Sequence, residues 1–255
     1  MSSKSDPTGG DEPWQPLEPP REPAVNLPPV IIGLSLIMIV VHLVRVYVLS
    51  PAQDDNVLLY FAFIPLRYAP AYFDVTVPGG WAADIWTFVT YSFLHGSATH
   101  IIFNLLWMVV FGSPVAWRFG AVRFLIFSAV CAAAGAGLHL LFHFGEPVPV
   151  IGASAAISGH MAASLRFIFE LGGPLGSLRR NNRQDYLVPA QPLMRSLMHP
   201  QVLAFIVVWF GLNLASGLWG GALLGAGSEI AWQAHVGGFI AGLVLFHLFD
   251  PVARR

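Results

Sequence analysis

Six apolar stretches, each near the length of a lipid-crossing helix, alternate with polar or aromatic-rich connections. They cover approximately residues 29–49, 100–116, 121–143, 153–171, 200–217 and 231–249. A helix needs about 20 predominantly apolar residues to cross the hydrocarbon layer. The pattern therefore predicts an all-α polytopic membrane protein with six transmembrane helices. The second stretch is the shortest and is counted from His100. No internal repeat of fixed period is visible.

The connections differ in kind. The first, about 50–99, is long and amphipathic, with Phe61-Ala-Phe-Ile-Pro-Leu-Arg-Tyr68 followed by Trp81, Trp86 and Tyr91. Such aromatics favour the headgroup zone, so this loop is expected to lie in the interface beside the helices. The fourth, about 172–199, is polar and basic, and the third and fifth carry no Lys or Arg. Residues 1–28 are rich in proline and acid, as in Asp11-Glu-Pro-Trp-Gln-Pro-Leu-Glu-Pro-Pro. Such a stretch cannot bury a core and is expected to be a flexible tail. It has neither the form of a cleavable signal nor the arginine content of a mitochondrial presequence. Residues 29–250 then form one membrane domain, and 251–255 a short C-terminus.

Composition agrees with this class. The 255 residues are 55% hydrophobic and 11% charged, where soluble domains run near a quarter charged. The net charge of −1 gives no footing for a nucleic-acid partner. The single cysteine, Cys131, excludes an internal disulfide and reads as a small buried hydrophobe. Charge also gives direction. Eleven of the thirteen Lys and Arg residues fall in the tail, the second and fourth loops, adjoining helix ends or the C-terminus; Arg45 and Arg67 fall toward the other side. The positive-inside rule then places both termini in the cytoplasm.

With that direction, the second, fourth and sixth spans all start on the outer side. His100 opens the second, Ser154 opens the fourth, and His235 lies about one turn into the sixth. Polar groups in a bilayer are expensive and are often functional. Three separate helices here carry them to one depth. Ser154 is a candidate nucleophile and His235 a candidate general base. Backbone N–H groups at the start of the fourth helix point toward developing negative charge. His100 and Asn104 are four apart and share one helix face, from which both can donate. For Ser154 to reach His235 their helices must approach closely. Gly238-x-x-x-Gly242, with Gly237 and Ala241, gives one small-residue face; Ala153, Ala155, Ala156 and Gly159 give the other.

Three motifs occur in order on spans two, four and six: His95-Gly-Ser-Ala-Thr-His100-x-x-x-Asn104, Gly152-x-Ser154, and Ala234-His235-x-x-Gly238-x-x-x-Gly242. Together they resemble the rhomboid intramembrane serine proteases, over about residues 29–250, in the six-span form common in bacteria. The resemblance implies a Ser–His dyad that cleaves membrane-anchored proteins within or next to the bilayer, without metal or cofactor. It implies Ser154 as nucleophile and His235 as base. His100, Asn104 and the Ser154 N–H would serve the oxyanion, and His95 and Gly152 would be structural. It also implies transmembrane substrates and a bacterial inner-membrane location. The sequence departs from the family pattern at Ala155 (usually Gly), Ser158 (often aromatic), Thr87 (after Trp86, usually Arg) and Ala116 (often Glu).

Other polar residues read more plainly. His42, His139, His143, His160 and His247 lack metal-ligand spacing. Asn213 is expected to make an interhelical hydrogen bond. Glu229 is six residues before His235, about 9 Å of helix rise away, and is discounted as a triad acid. An inactive relative that binds membrane segments, or a polytopic transporter, stands as the alternative. A transporter would more often show charges or broken helices at mid-membrane, and no Asp, Glu or Lys lies mid-span.

Overall fold

The computed structural model describes residues 26–69, 76–170, 173–175, 183–224 and 231–252. The expectations for the tail up to residue 25 and for Glu229 fall outside them. Among the described residues the protein is helical, and its only β pairing is an isolated bridge between Phe63 and Val150.

Helix α1 (Pro29–Tyr47) starts on a proline, whose fixed φ and missing N–H suit a first turn. Its buried residues, Ile31, Met38, His42 and Arg45, form one stripe. Leu36, Ile37, Val40, Leu43 and Val46 are exposed on the rest of its surface. A soluble protein does not leave so continuous an apolar surface to water; in lipid it is matched.

The described residues of the first loop are mostly helical. Helix α2 (Pro51–Phe61) opens with a capping box: Ser50 Oγ accepts from the Gln53 N–H, and Gln53 Oε1 from the Ser50 N–H. A short 3₁₀ turn (Pro65–Tyr68) leads on to α3 (Gly80–Thr90) and a second one at Tyr91–Phe93. Polar side chains tie these pieces together. Arg45 pairs with Asp54 at 2.6 Å and donates to the His95 carbonyl. Arg67 donates to the Leu59 and Pro78 carbonyls. Trp86 Nε1 and Thr90 Oγ1 donate to the Tyr60 and Phe61 carbonyls, both at 2.8 Å. Tyr91 OH reaches the Ala132 carbonyl at 2.9 Å and anchors the loop to the membrane helices.

Among the described residues, five helices are long and apolar enough to cross a membrane: α1, α4 (Ala98–Phe119), α5 (Ala121–Phe142), the Pro200–Gly217 part of α8 (Pro200–Leu224), and α9 (Trp232–Phe249). Helix α4 carries a π segment at Met108–Gly112. The fourth predicted stretch behaves differently. It is α-helical only over Ser154–Ser164, here α6, followed by turns through residue 169. Every α6 residue from Ala155 to Ser164 is buried. Helices α4, α5 and α9 enclose it, so α6 meets protein where the others meet lipid. A short helix α7 (Leu193–Leu197) precedes α8.

The α6–α9 seam depends on missing side chains. A Cβ at Gly238 would collide with the Ala155 carbonyl, and one at Gly242 with the Gly159 carbonyl. Gly237 meets α5 in the same way, its Cβ site lying 2.7 Å from the Ala134 carbonyl oxygen. In lipid, helix association rests on van der Waals packing, which such close backbone approach maximises.

Candidate active site

Ser154 is the first residue of α6. The chain reaches it through the Phe63–Val150 bridge and a hydrogen bond from the Gly152 N–H to the Tyr91 carbonyl at 3.0 Å. Gly152 has φ +115°, a conformation that a Cβ makes costly. It also lies against the His100 ring: a Cβ there would meet His100 Nε2 at 2.6 Å and Ser154 Oγ at 3.7 Å. One glycine thus turns the chain into α6 and admits the His100 imidazole beside the serine.

His235 lies one turn into α9, whose backbone the glycine seam holds against α6. The two side chains meet: His235 Nε2 and Ser154 Oγ are 2.8 Å apart. This is hydrogen-bond distance for a hydroxyl and a ring nitrogen. Both residues are half-buried.

His100 stands in the first turn of α4, where Ser97 Oγ caps the helix by accepting from its N–H at 3.1 Å. The Gly96 N–H points to His100 Nδ1 at 3.4 Å, which makes Nδ1 an acceptor and leaves the proton on Nε2, the atom beside Gly152. Asn104 is buried one turn further on. Its Nδ2 donates to the His100 carbonyl at 2.9 Å and carries a second hydrogen. The first N–H groups of α6 have no acceptor within their own helix. His95 is buried with its ring edge-on to His100, centroids 5.1 Å apart. Burial, then the neighbouring His100, pushes its imidazole down to about 3, so it stays neutral. Together with the bond from Arg45 to its carbonyl, this gives His95 a place in the scaffold.

The departures from the family pattern also have places. Ser158 Oγ bonds back to the Ser154 carbonyl at 2.8 Å. Among the described residues no aromatic ring stacks on His235. Instead, Asn213 of α8 approaches the far side of the imidazole, with its Oδ1 2.7 Å from His235 Nδ1. Sequence reasoning expected an interhelical bond from Asn213 without naming its partner. The signal was depth: both residues lie four positions inside the adjoining ends of the consecutive spans predicted at 200–217 and 231–249. Thr87 Oγ1 bonds the Ala83 carbonyl at 2.6 Å within α3.

A second Ser–His pair gives a useful contrast. Ser128 Oγ lies 2.8 Å from His160 Nε2 but also 2.7 Å from the Phe124 carbonyl. That carbonyl takes the hydroxyl hydrogen, so His160 is the donor and nothing there abstracts a proton from serine. Among the described residues no group of three His, Cys, Asp or Glu side chains is placed to hold a metal.

A family model described as "Rhomboid domain" matches residues 82–250. Curated relatives named "Rhomboid protease GlpG" include one from Serratia proteamaculans (strain 568), 26% identical over 85% of this chain and 61% of its own length. One from Yersinia pestis (strain Pestoides F) is 30% identical over 64% of this chain and 47% of its own. One from Salmonella choleraesuis (strain SC-B67) is 24% identical over 68% and 51%. The chain thus spans roughly half to three fifths of the length of these relatives. The family model covers well over half of the chain, including the Ser154–His235 contact and the helices that carry it, and the chain belongs to the rhomboid family of integral membrane proteins.

Proposed function

We propose that this protein is an intramembrane serine endopeptidase that cleaves single-span membrane proteins with a Ser154–His235 dyad. The observation that carries the reading is the 2.8 Å contact between Ser154 Oγ and His235 Nε2, made by side chains from two different helices, the enclosed α6 and the membrane-length α9. In this mechanism His235 accepts the hydroxyl proton as Ser154 Oγ attacks the scissile carbonyl. The carbonyl oxygen becomes an oxyanion held by the Ser154 N–H and the proton on His100 Nε2, with Asn104 as a third donor. One such donor contributes roughly 10²–10³ in rate. His235 then returns the proton to the leaving amine, the new N-terminus departs, and water repeats the attack on the acyl-enzyme. No metal or cofactor enters.

The distribution of arginine supports an orientation with both termini in the cytoplasm and the dyad toward the outer leaflet, as in a bacterial inner membrane. Residues 29–250 would then form the protease domain. A substrate helix hides its carbonyls in its own hydrogen bonds, so cleavage requires local unwinding and favours small or helix-breaking residues near the scissile bond.

The test is cleavage of a model single-span substrate by the purified protein in detergent. Wild type is expected to cleave, and Ser154→Ala and His235→Ala each to fall by at least about 10³-fold. Equal products from all three would remove the proposal.

A further inference from the structure

The serine and imidazole are not the end of the hydrogen-bond chain. Asn213 Nδ2 lies 2.8 Å from the Trp209 carbonyl oxygen, one turn back in α8, and its Oδ1 lies 2.7 Å from His235 Nδ1. Exchanging the two ends of the amide would set oxygen against oxygen at the Trp209 carbonyl. The carbonyl therefore fixes which way the amide faces. With Oδ1 toward the ring, His235 Nδ1 must carry the hydrogen. The Nε2 lone pair is then left to face Ser154 Oγ at 2.8 Å. Every donor in the series has an acceptor, running from the Ser154 hydroxyl through His235 and Asn213 to the Trp209 carbonyl.

The helix face that presents Asn213 is built around it. Trp209, Asn213 and Gly217 lie four residues apart on α8, and each faces a residue of α9. The Trp209 ring stacks on Phe239 with centroids 4.4 Å apart, and Gly217 lies against the Trp232 ring. Asn213–His235 is the middle rung. Elsewhere α8 is the least enclosed of the five crossing helices, with Leu203, Val207, Val208 and Leu212 exposed.

We propose that Asn213 is a positioning residue for His235, holding the Nδ1–H tautomer and ring orientation that let Nε2 accept the serine proton. This rests on the proteolytic reading of the same site. During attack the Ser154 proton moves to Nε2 and the resulting imidazolium keeps its Nδ1–H donated to the amide oxygen. No proton passes to Asn213, which stays neutral throughout. In triad enzymes an acceptor on this nitrogen sets the tautomer, and the wrong tautomer costs orders of magnitude in kcat.

Two measurements test it. The first is the ¹⁵N spectrum of histidine-labelled full-length wild type in detergent, with the His235 signals identified by their loss in His235→Gln. The expected result is a protonated Nδ1 and an unprotonated Nε2; a proton on Nε2 overturns the proposal and needs no Asn213 variant. The second compares Asn213→Leu with Asn213→Asp, which keeps an acceptor. Asn213→Leu is expected to lose about 10–100-fold in kcat with KM within about twofold and to show mixed tautomers, while Asn213→Asp stays within about tenfold of wild type. A kcat for Asn213→Leu within twofold of wild type, while Ser154→Ala is inactive, overturns the positioning role and leaves the protease reading standing. Wild-type cleavage no greater than that of Ser154→Ala overturns both. If Asn213→Leu does not fold, the wild-type spectrum and Asn213→Asp decide.

Discussion

At position 238 there is no room for a methyl group. The Gly238 Cα meets the Ala155 carbonyl directly across the seam, and any Cβ must push α9 away from the helix that carries the serine. Overpacking of this kind costs about 1–3 kcal/mol, and the displacement acts on a contact only 2.8 Å long. Gly238→Ala should therefore lower the thermal midpoint in detergent and reduce cleavage more steeply than stability; normal turnover at a lowered midpoint would separate the seam from the site. The Gly238-x-x-x-Gly242 spacing was readable because small residues at i and i+4 share a face. The work of Gly152 was not. Its left-handed backbone and the histidine lying over it come from packing between α4 and the start of α6, which no local pattern encodes. Likewise Asn213 was legible as a polar group in an apolar helix, but its partner was fixed by tertiary contact.

Among the helices, α6 and α8 are opposites. From Ala155 onward α6 is buried on all sides, while α8 packs through one narrow face. Local opening follows buried contact. Amide hydrogen exchange in detergent should thus be slowest in 155–164 and distinctly faster in 203–212; comparable protection of the two segments would contradict this contrast. Hydropathy found both stretches, since apolar side chains suit a protein interior and a lipid tail equally well. For the same reason it overestimated the fourth element: residues 165–169 are apolar enough to extend a span, yet they form turns closed by bonds such as Phe167 N–H to the Ser164 carbonyl. The aromatic first loop was expected at the interface for its amphipathic rings. The structure adds that Trp86 and Tyr91 use their polar atoms on backbone carbonyls, so they also fasten the loop.

Across the whole molecule, one arginine joins ends that are far apart in sequence. Arg118, at the end of α4, pairs with Asp250 just beyond α9 at 2.8 and 2.9 Å. It donates as well to the Tyr186 and Val188 carbonyls, and its guanidinium lies 4.6 Å over the Phe167 ring. Both charged side chains are almost fully enclosed, at 0% and 7% exposure. Removing one partner from such a pair leaves a buried charge and costs about 3–5 kcal/mol. Asp250→Ala should accordingly lower the thermal midpoint far more than Asp54→Ala, whose side chain is 29% exposed. Similar shifts would mean that the clamp carries little. Sequence reading counted Arg118 only as a charge that sets topology; its clamp required knowing that α4 and α9 end together.

The enclosure of α6 also shields most of the helix that opens with Ser154 from the lipid around the protein. A bilayer that thickens or thins exerts its mismatch on helices with lipid-facing side chains, which answer by tilting at modest cost. The helix that opens with Ser154 has almost no surface on which such a force can act. Ser154 should therefore keep its seat in membranes of different thickness, with the strain taken up by the outer helices, α8 foremost.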